Sequence, residues 1–136
     1  MAHAKFRAEV LTPEGQVFND EVEMVSTRTA TGSIGILAHH TPLLAMLEPT
    51  ELRLYKTESE VVRFAQAEGY MQVAADEVMV LVEEAHSPSE LDSSQLRERL
   101  QQAEGELRDA GDDTERRRLA ERAKRRWETF IEVASG

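Results

Sequence analysis

Thr31-Gly32-Ser33-Ile34-Gly35-Ile36-Leu37-Ala38-His39-His40-Thr41-Pro42-Leu43-Leu44 is an unusual mixture. It is too rich in Gly and Pro for a plain strand and too apolar for an ordinary surface loop. The segments around it are easier to read. Phe6, Ala8 and Val10 alternate with Lys5, Arg7 and Glu9, the period-two pattern of a half-buried strand. Thr12-Pro13-Glu14-Gly15 is a turn, with Pro presetting φ and Gly closing it. Extended structure resumes at Val17 and Phe18 and alternates again through Glu21-Val22-Glu23-Met24. Leu52–Tyr55, Val61–Ala65, Tyr70–Val73 and Val78–Val82 are further strand candidates. Short strands at this spacing predict a small β-sandwich or barrel ending near Glu84.

Beyond Ala85 the periodicity changes. His86-Ser87-Pro88-Ser89 reads as a linker, because Pro disfavours helix at the residue before it and cannot continue a ladder. Asp92 is placed to cap a first helix, with Gln95 three residues on. Leu96, Leu100, Ala103, Leu107 and Ala110 form its apolar stripe, and Gly111-Asp112-Asp113 ends it. Thr114 is the expected cap of a second helix, with the stripe Leu119, Ala123, Trp127, Ile131 and Ala134. A short polar turn between two amphipathic helices predicts an antiparallel hairpin. Narrow Leu/Ala stripes bury little area, so this hairpin should need the sandwich or another subunit for support. The expected division is 1–86 for the sandwich and 87–136 for linker and hairpin.

Composition narrows the function classes. The formal net charge of -10 argues against a nucleic-acid partner. Without cysteine the chain has no disulfide, thiolate metal site or Cys nucleophile. The start Met1-Ala2-His3-Ala4-Lys5 carries no secretory apolar region, and no apolar run reaches membrane-spanning length. Residues 1–90 hold 6 Lys and Arg against 15 Asp and Glu, whereas residues 91–136 hold 10 against 11. Two regions with different partners are therefore expected. No G-x-S-x-G elbow and no Walker phosphate loop occurs, so no catalytic residue is assigned. His39 and His40 are adjacent and would point to opposite faces of an extended chain, without a third ligand in sequence range. No metal site is expected.

The pattern Gly32-x-x-Gly35-Ile36-Leu37-x-x-His40-x-Pro42-Leu43 resembles the signature of the epsilon subunit of the F-type (rotary) ATP synthase. The resemblance extends through Thr12-Pro13-Glu14-Gly15, Gly69-Tyr70-Met71-Gln72-Val73, Val78-Met79-Val80-Leu81 and the helical region. It implies a ten-stranded β-sandwich followed by a two-helix hairpin. The implied role is a non-catalytic rotor subunit that couples proton flow to ATP synthesis, with helices that restrain ATP hydrolysis. The implied partners are the gamma subunit and the membrane ring of c subunits, with the beta and alpha subunits met by the helices. By the same resemblance, Ser33, His40 and Pro42 become rotor-interface candidates. The implied location is the cytoplasmic face of the bacterial plasma membrane, or the stromal side of the chloroplast thylakoid. Many members have an acidic residue at Ser33, Pro at Ala38, and Gly at Thr50 and Glu68; the lost glycines imply altered turns, and the change at Ser33 implies an altered contact with the rotor ring.

Two further sets of residues follow. Some members bind ATP in the hairpin through an I/L-D-x-x-R-A motif and basic residues of the second helix. Leu91 and Asp92 match it, but Gln95 and Leu96 replace the Arg and Ala. Asp92, Arg122 and Arg126 are thus candidates for a weak regulatory ATP site, and the helix N-cap is the favoured reading of Asp92. No other cofactor is expected. The run Arg116-Arg117-Arg118, Arg122, Lys124, Arg125, Arg126 repels itself at helical spacing. Arg118, Arg122 and Arg125 share one side and form a candidate docking face for acidic segments of the catalytic subunits. Trp127 and Phe130 read as packing residues. The alternative function is a stand-alone nucleotide-sensing or adaptor protein.

Overall fold

The computed structural model describes residues 3–29 and 31–135. Met1 and Ala2 of the N-terminal stretch, Ala30 and Gly136 lie outside the described residues. Ten strands come first: β1 (Phe6–Thr12), β2 (Gly15–Val22), β3 (Met24–Thr29), β4 (Gly32–Ile36), β5 (Leu43–Leu47), β6 (Thr50–Tyr55), β7 (Val61–Gln66), β8 (Gly69–Ala74), β9 (Glu77–Val82) and β10 (Ala85–His86). A 3-10 turn at Pro88–Glu90 leads into α1 (Ser93–Asp109) and α2 (Thr114–Ser135). The Gly-rich stretch quoted above is two strands, β4 and β5, joined by a loop. Its composition hid them because Gly and Pro are depleted in ordinary strands.

The strands pair in the order β10-β7-β6-β3-β5-β8-β9-β1-β2, with β4 also on β3. Among the described residues β3 and β5 share the rung Thr29↔Leu47, which is where the chain folds over into two layers. One layer is β4-β3-β6-β7-β10 and the other β5-β8-β9-β1-β2. Among the described strand pairs only β1 and β9 run parallel. Between the layers, Val25, Ile36, Leu52 and Leu54 meet Phe6, Val10, Met71, Val78 and Val80 in one buried cluster. Period two explains the set: in β1, Phe6, Ala8 and Val10 point inward while Arg7 and Glu9 point out.

At one end of the sandwich two crossings between the layers run side by side. Ala67 N donates to Glu84 O and Glu83 N to Glu68 O, both at 3.0 Å. Gly69 opens β8 opposite Val82 at this crossing. A Cβ on Gly69 would lie 1.9 Å from Leu81 O and 2.7 Å from Val82 Cα. Glycine is needed here for close backbone approach, since both contacts are main chain.

The hairpin rests on the outer face of the first layer. Phe130 is fully buried with Val133 and Leu96 against Ala65 and Ala67, whose small side chains let the helix come close. The α1 stripe matches its expectation: Leu96, Ala103 and Ala110 are buried, Leu100 and Leu107 half-buried. The α2 stripe differs. Ala120, Phe130 and Val133 are buried, whereas Leu119 is 50% exposed and Trp127 and Ile131 sit at the margin. The buried line is rotated by about 100° at its start, because α2 must face the sandwich as well as α1. Asp92 caps α1, its carboxylate accepting from Ser94 N and Gln95 N. The cap of α2 is Asp113 rather than Thr114: Asp113 Oδ1 accepts from Arg116 N at 3.1 Å. Gly111 at φ +55° makes the left-handed turn between the helices.

Gly69→Ala should therefore be among the most damaging single-methyl additions in the chain. Overpacking against main chain cannot be relieved by a rotamer change, and a loss of about 3 kcal/mol is expected. Urea unfolding followed by circular dichroism measures it. Gly105→Ala, at a half-buried position of α1, serves as the comparison, since its new methyl would come within 4 Å of only the Arg108 side chain beyond its own helix backbone.

Candidate functional site

The two outer faces of the sandwich differ. The hairpin covers part of the first. On the second, apolar side chains face solvent: Leu44 is 71% exposed, Met46 63%, Tyr70 50% and Leu81 43%. Strand register collects them. Met46 pairs with Tyr70, Tyr70 with Leu81, and Leu81 with Leu11, so one row crosses β5, β8, β9 and β1. Side chains level with each other on adjacent strands share a face. A contiguous exposed apolar row on a protein otherwise rich in charge is the mark of an interaction surface. The available signal was the sequence Val78-Met79-Val80-Leu81-Val82, which has no polar residue on either face.

The second feature is a clasp of ion pairs between α2 and the crossing. Arg122 Nε donates to Glu68 Oε1 at 2.7 Å and its Nη2 to Glu83 Oε1 at 2.9 Å. Arg126, one turn on, donates through Nη2 to Glu83 Oε2 at 2.6 Å and through Nη1 to Glu84 Oε2 at 3.1 Å. Glu83 thus bridges both guanidinium groups. The hydrogen bond to Glu68, then its charge, holds the Arg122 pKa above its ordinary value. Arg126 also lies 5.7 Å from the Trp127 ring centroid, with Arg99 at 5.1 Å. His86 Nε2 is 3.0 Å from Glu84 Oε1, and its ring meets Phe130 edge-on at 5.8 Å. Glu68 is therefore more than a replaced turn glycine: its carboxylate ties the sandwich to the hairpin.

The candidate residues are distributed unevenly. Asp92 spends its carboxylate on the α1 N-terminus, while Arg122 and Arg126 are engaged by glutamates. Arg118, Arg122 and Arg125 occupy three settings rather than one free face. Arg118 pairs with Glu115 at 2.7 Å, Arg122 is in the clasp, and Arg125 lines a cavity with Arg28, Arg53 and Arg63. In that cavity burial pushes the Glu51 carboxyl up, but hydrogen bonds from Arg63 and Arg53 outweigh it and leave the pKa below its ordinary value. Ser33, on β4, pairs with Arg28 of β3, three rungs from Ile36. His40 and Pro42 lie beyond the other end of β4, where His40 Nδ1 is 2.7 Å from Thr41 O. In the same loop His39 N donates to Asp76 Oδ1 at 2.9 Å. Ser33 is thus about 10 Å along the strand from the end that carries His40 and Pro42. Pro42 immediately precedes β5, whose Leu44 and Met46 begin the apolar row.

Comparison with known proteins fits this architecture. The model of the ATP synthase delta/epsilon chain β-sandwich domain matches residues 5–88. The ATP synthase epsilon chain of Persephonella marina is 40% identical over 127 residues, covering 93% of both chains. That of Sulfurihydrogenibium sp. is 33% identical over 130 residues, covering 96% of this chain and 97% of the other. A chain in the Euglena gracilis mitochondrial ATP synthase OSCP/F1/c-ring structure superposes with a TM-score of 0.83 at 21% identity. It covers 100% of this chain and 84% of that one. A chain of the Tetrahymena thermophila mitochondrial ATP synthase central stalk/c-ring structure gives 0.63 at 16% identity, with 98% and 99% covered. With its sandwich matched by the family model and nearly its full length shared with these relatives, the chain belongs to the ATP synthase epsilon chain family.

Proposed function

We propose that this chain is a non-catalytic central-stalk subunit of a proton-translocating ATP synthase. Its sandwich docks on the gamma subunit and the ring of c subunits, and its hairpin restrains ATP hydrolysis by the alpha and beta subunits. The observation that carries this reading is the uncovered row of Met46, Tyr70 and Leu81, with exposed Leu44 two residues before Met46 on β5, on the family's sandwich domain. It offers a rotor-docking surface on the outer face that the hairpin leaves uncovered. Among the described residues no helix is long and apolar enough to cross a membrane. Attachment through the complex, at the cytoplasmic face of the bacterial plasma membrane, is the arrangement we propose.

The brake needs a hairpin that can leave its folded position. Ion pairs with partly exposed partners are worth about 0–1 kcal/mol each, so the clasp alone is a modest restraint. Phe130 adds about 1.5–3 kcal/mol through apolar burial. Acidic segments of the catalytic subunits would have to replace Glu68, Glu83 and Glu84 as partners of Arg122 and Arg126. ATP, in this chain, is at most a weak regulatory ligand. Gln95 offers no charge to phosphate, and the glutamates already occupy both arginines.

Three measurements test these statements. Leu44→Asp with Met46→Asp should leave the thermal unfolding midpoint within a few degrees, since both side chains face solvent. The pair should nevertheless abolish co-purification with the alpha, beta and gamma subunits. A stoichiometric complex would refute docking through this face.

In the reconstituted enzyme, deleting residues after Ser87 should raise ATP hydrolysis severalfold, and Arg118→Ala with Arg122→Ala and Arg125→Ala should raise it partially. Added salt should narrow the difference. Equal rates for all three proteins at low salt would show that the hairpin is no brake.

Calorimetry on the isolated chain should find ATP binding weaker than about 1 μM, that is, weaker than about -8 kcal/mol. Gln95→Arg should strengthen it. Tighter binding by the unmodified chain would contradict the account of the clasp.

A further inference from the structure

The apolar row and the clasp meet in one groove of about 540 Å³. Met46, Tyr70 and Leu81 form its apolar wall, and Glu68, Glu83 and Arg122 stand at its head. Whatever lies on the apolar row therefore reaches the ion pairs that hold α2 down. Arg126 holds the other Glu83 oxygen and pairs with Glu84, so the clasp sets three carboxylates against two guanidinium groups and keeps one net negative charge. Glu83 is half exposed, and among the described residues Arg122 is the ion-pair partner of Glu68. An acidic side chain entering here would meet two like charges. A basic one would be drawn to Glu68 and Glu83, but would have to share them with the arginines that already hold them. Residues 1–90 as a whole, with 15 acidic against 6 basic residues, favour the same sign of partner.

We infer that this groove receives a lysine or arginine carried on an apolar segment of the docking partner, and that this cation competes with Arg122 for Glu68 and Glu83. The inference rests on the docking-face reading above and adds a coupling to it. As the partner's cation takes Glu68, Arg122 loses one of its two acceptors, and the hairpin is held less firmly. Docking and the folded hairpin thus oppose each other. The coupling is reciprocal: whatever frees Glu68 and Glu83 of Arg122 must tighten docking by the same factor. With partly exposed pairs, the factor is about two- to fivefold.

Trp127 is the sole tryptophan and sits on α2 beside Arg126. The full-length chain labelled with 5-fluorotryptophan therefore gives a single fluorine resonance that reports on the hairpin. It is titrated with the recombinant gamma subunit of the same synthase. The resonance of the wild-type chain should move toward the position seen in Arg122→Ala without partner. Arg122→Ala should bind gamma about two- to fivefold more tightly than wild type, and Glu68→Gln about as much more weakly. Arg122→Gln, which keeps most of the aliphatic stem on α2, must reproduce the tightening if Arg122→Ala disturbs the helix. Met46→Asp separates the two claims. If it binds like wild type, the docking face is wrong and the coupling falls with it. If it abolishes binding while the Arg122 and Glu68 variants bind like wild type, docking stands and the coupling is overturned.

Discussion

The close passage of Gly69 beside Leu81 and Val82 is the constraint on which the other features depend. It brings two connections between the layers side by side, so that Ala67 and Glu68 pair through the main chain with Glu84 and Glu83. Three consequences follow from this one contact. Ala67 is buried, next to Ala65, beneath Phe130. Glu68, Glu83 and Glu84 are gathered from separate connections into one acidic group. Tyr70 and Leu81, the next pair along, start the exposed apolar row. A side chain at position 69 would separate the strands and dissolve all three.

The sandwich therefore has two outer faces with opposite fates. One is closed by α2, through a small apolar cluster and a set of ion pairs that differ in kind. The apolar cluster is short-ranged and indifferent to salt. The clasp is screened by salt and open to exchange of partners. Combining the two holds the hairpin in place without making it permanent. The other face has no cover among the described residues. Its residues are as apolar as many core residues, yet Leu44 and Met46 leave most of their surface in water in the isolated protein. Their worth lies in what they can bury on assembly, which is the behaviour of a subunit rather than of an independent protein.

Much of this was legible from residue patterns. Alternation in Phe6–Val10 and Val78–Val82, the turn at Thr12–Gly15, the linker at Pro88 and the α1 stripe depend on local periods, and local periods survive folding. β4 and β5 were not legible as strands, because Gly32, Gly35 and Pro42 weaken every local strand signal while their pairing with β3 and β8 is long-range. The α2 stripe was misplaced for a related reason. A helical wheel shows that one side is apolar, but two neighbours compete for it, and the position of Ala65 and Ala67 sends Phe130 inward instead of Leu119 outward of α1.

The amino-acid sequence by itself determined the division into a β region and a helical hairpin, the cap at Asp92, the absence of any cysteine chemistry, and the family resemblance carried by Gly32–Leu43. These rest on residue identity and short spacing. Tertiary structure alone decided which apolar residues stay in solvent, and which arginines are engaged. Leu44 and Leu47 look alike in sequence, and only the sheet register turns one out and the other in. Arg118 and Arg122 look alike too, and only the crossing at Gly69 places Glu68 and Glu83 beside the second. Glu68 lies 54 positions from Arg122, a separation over which no local rule operates and only the packing of α2 on the sandwich can act.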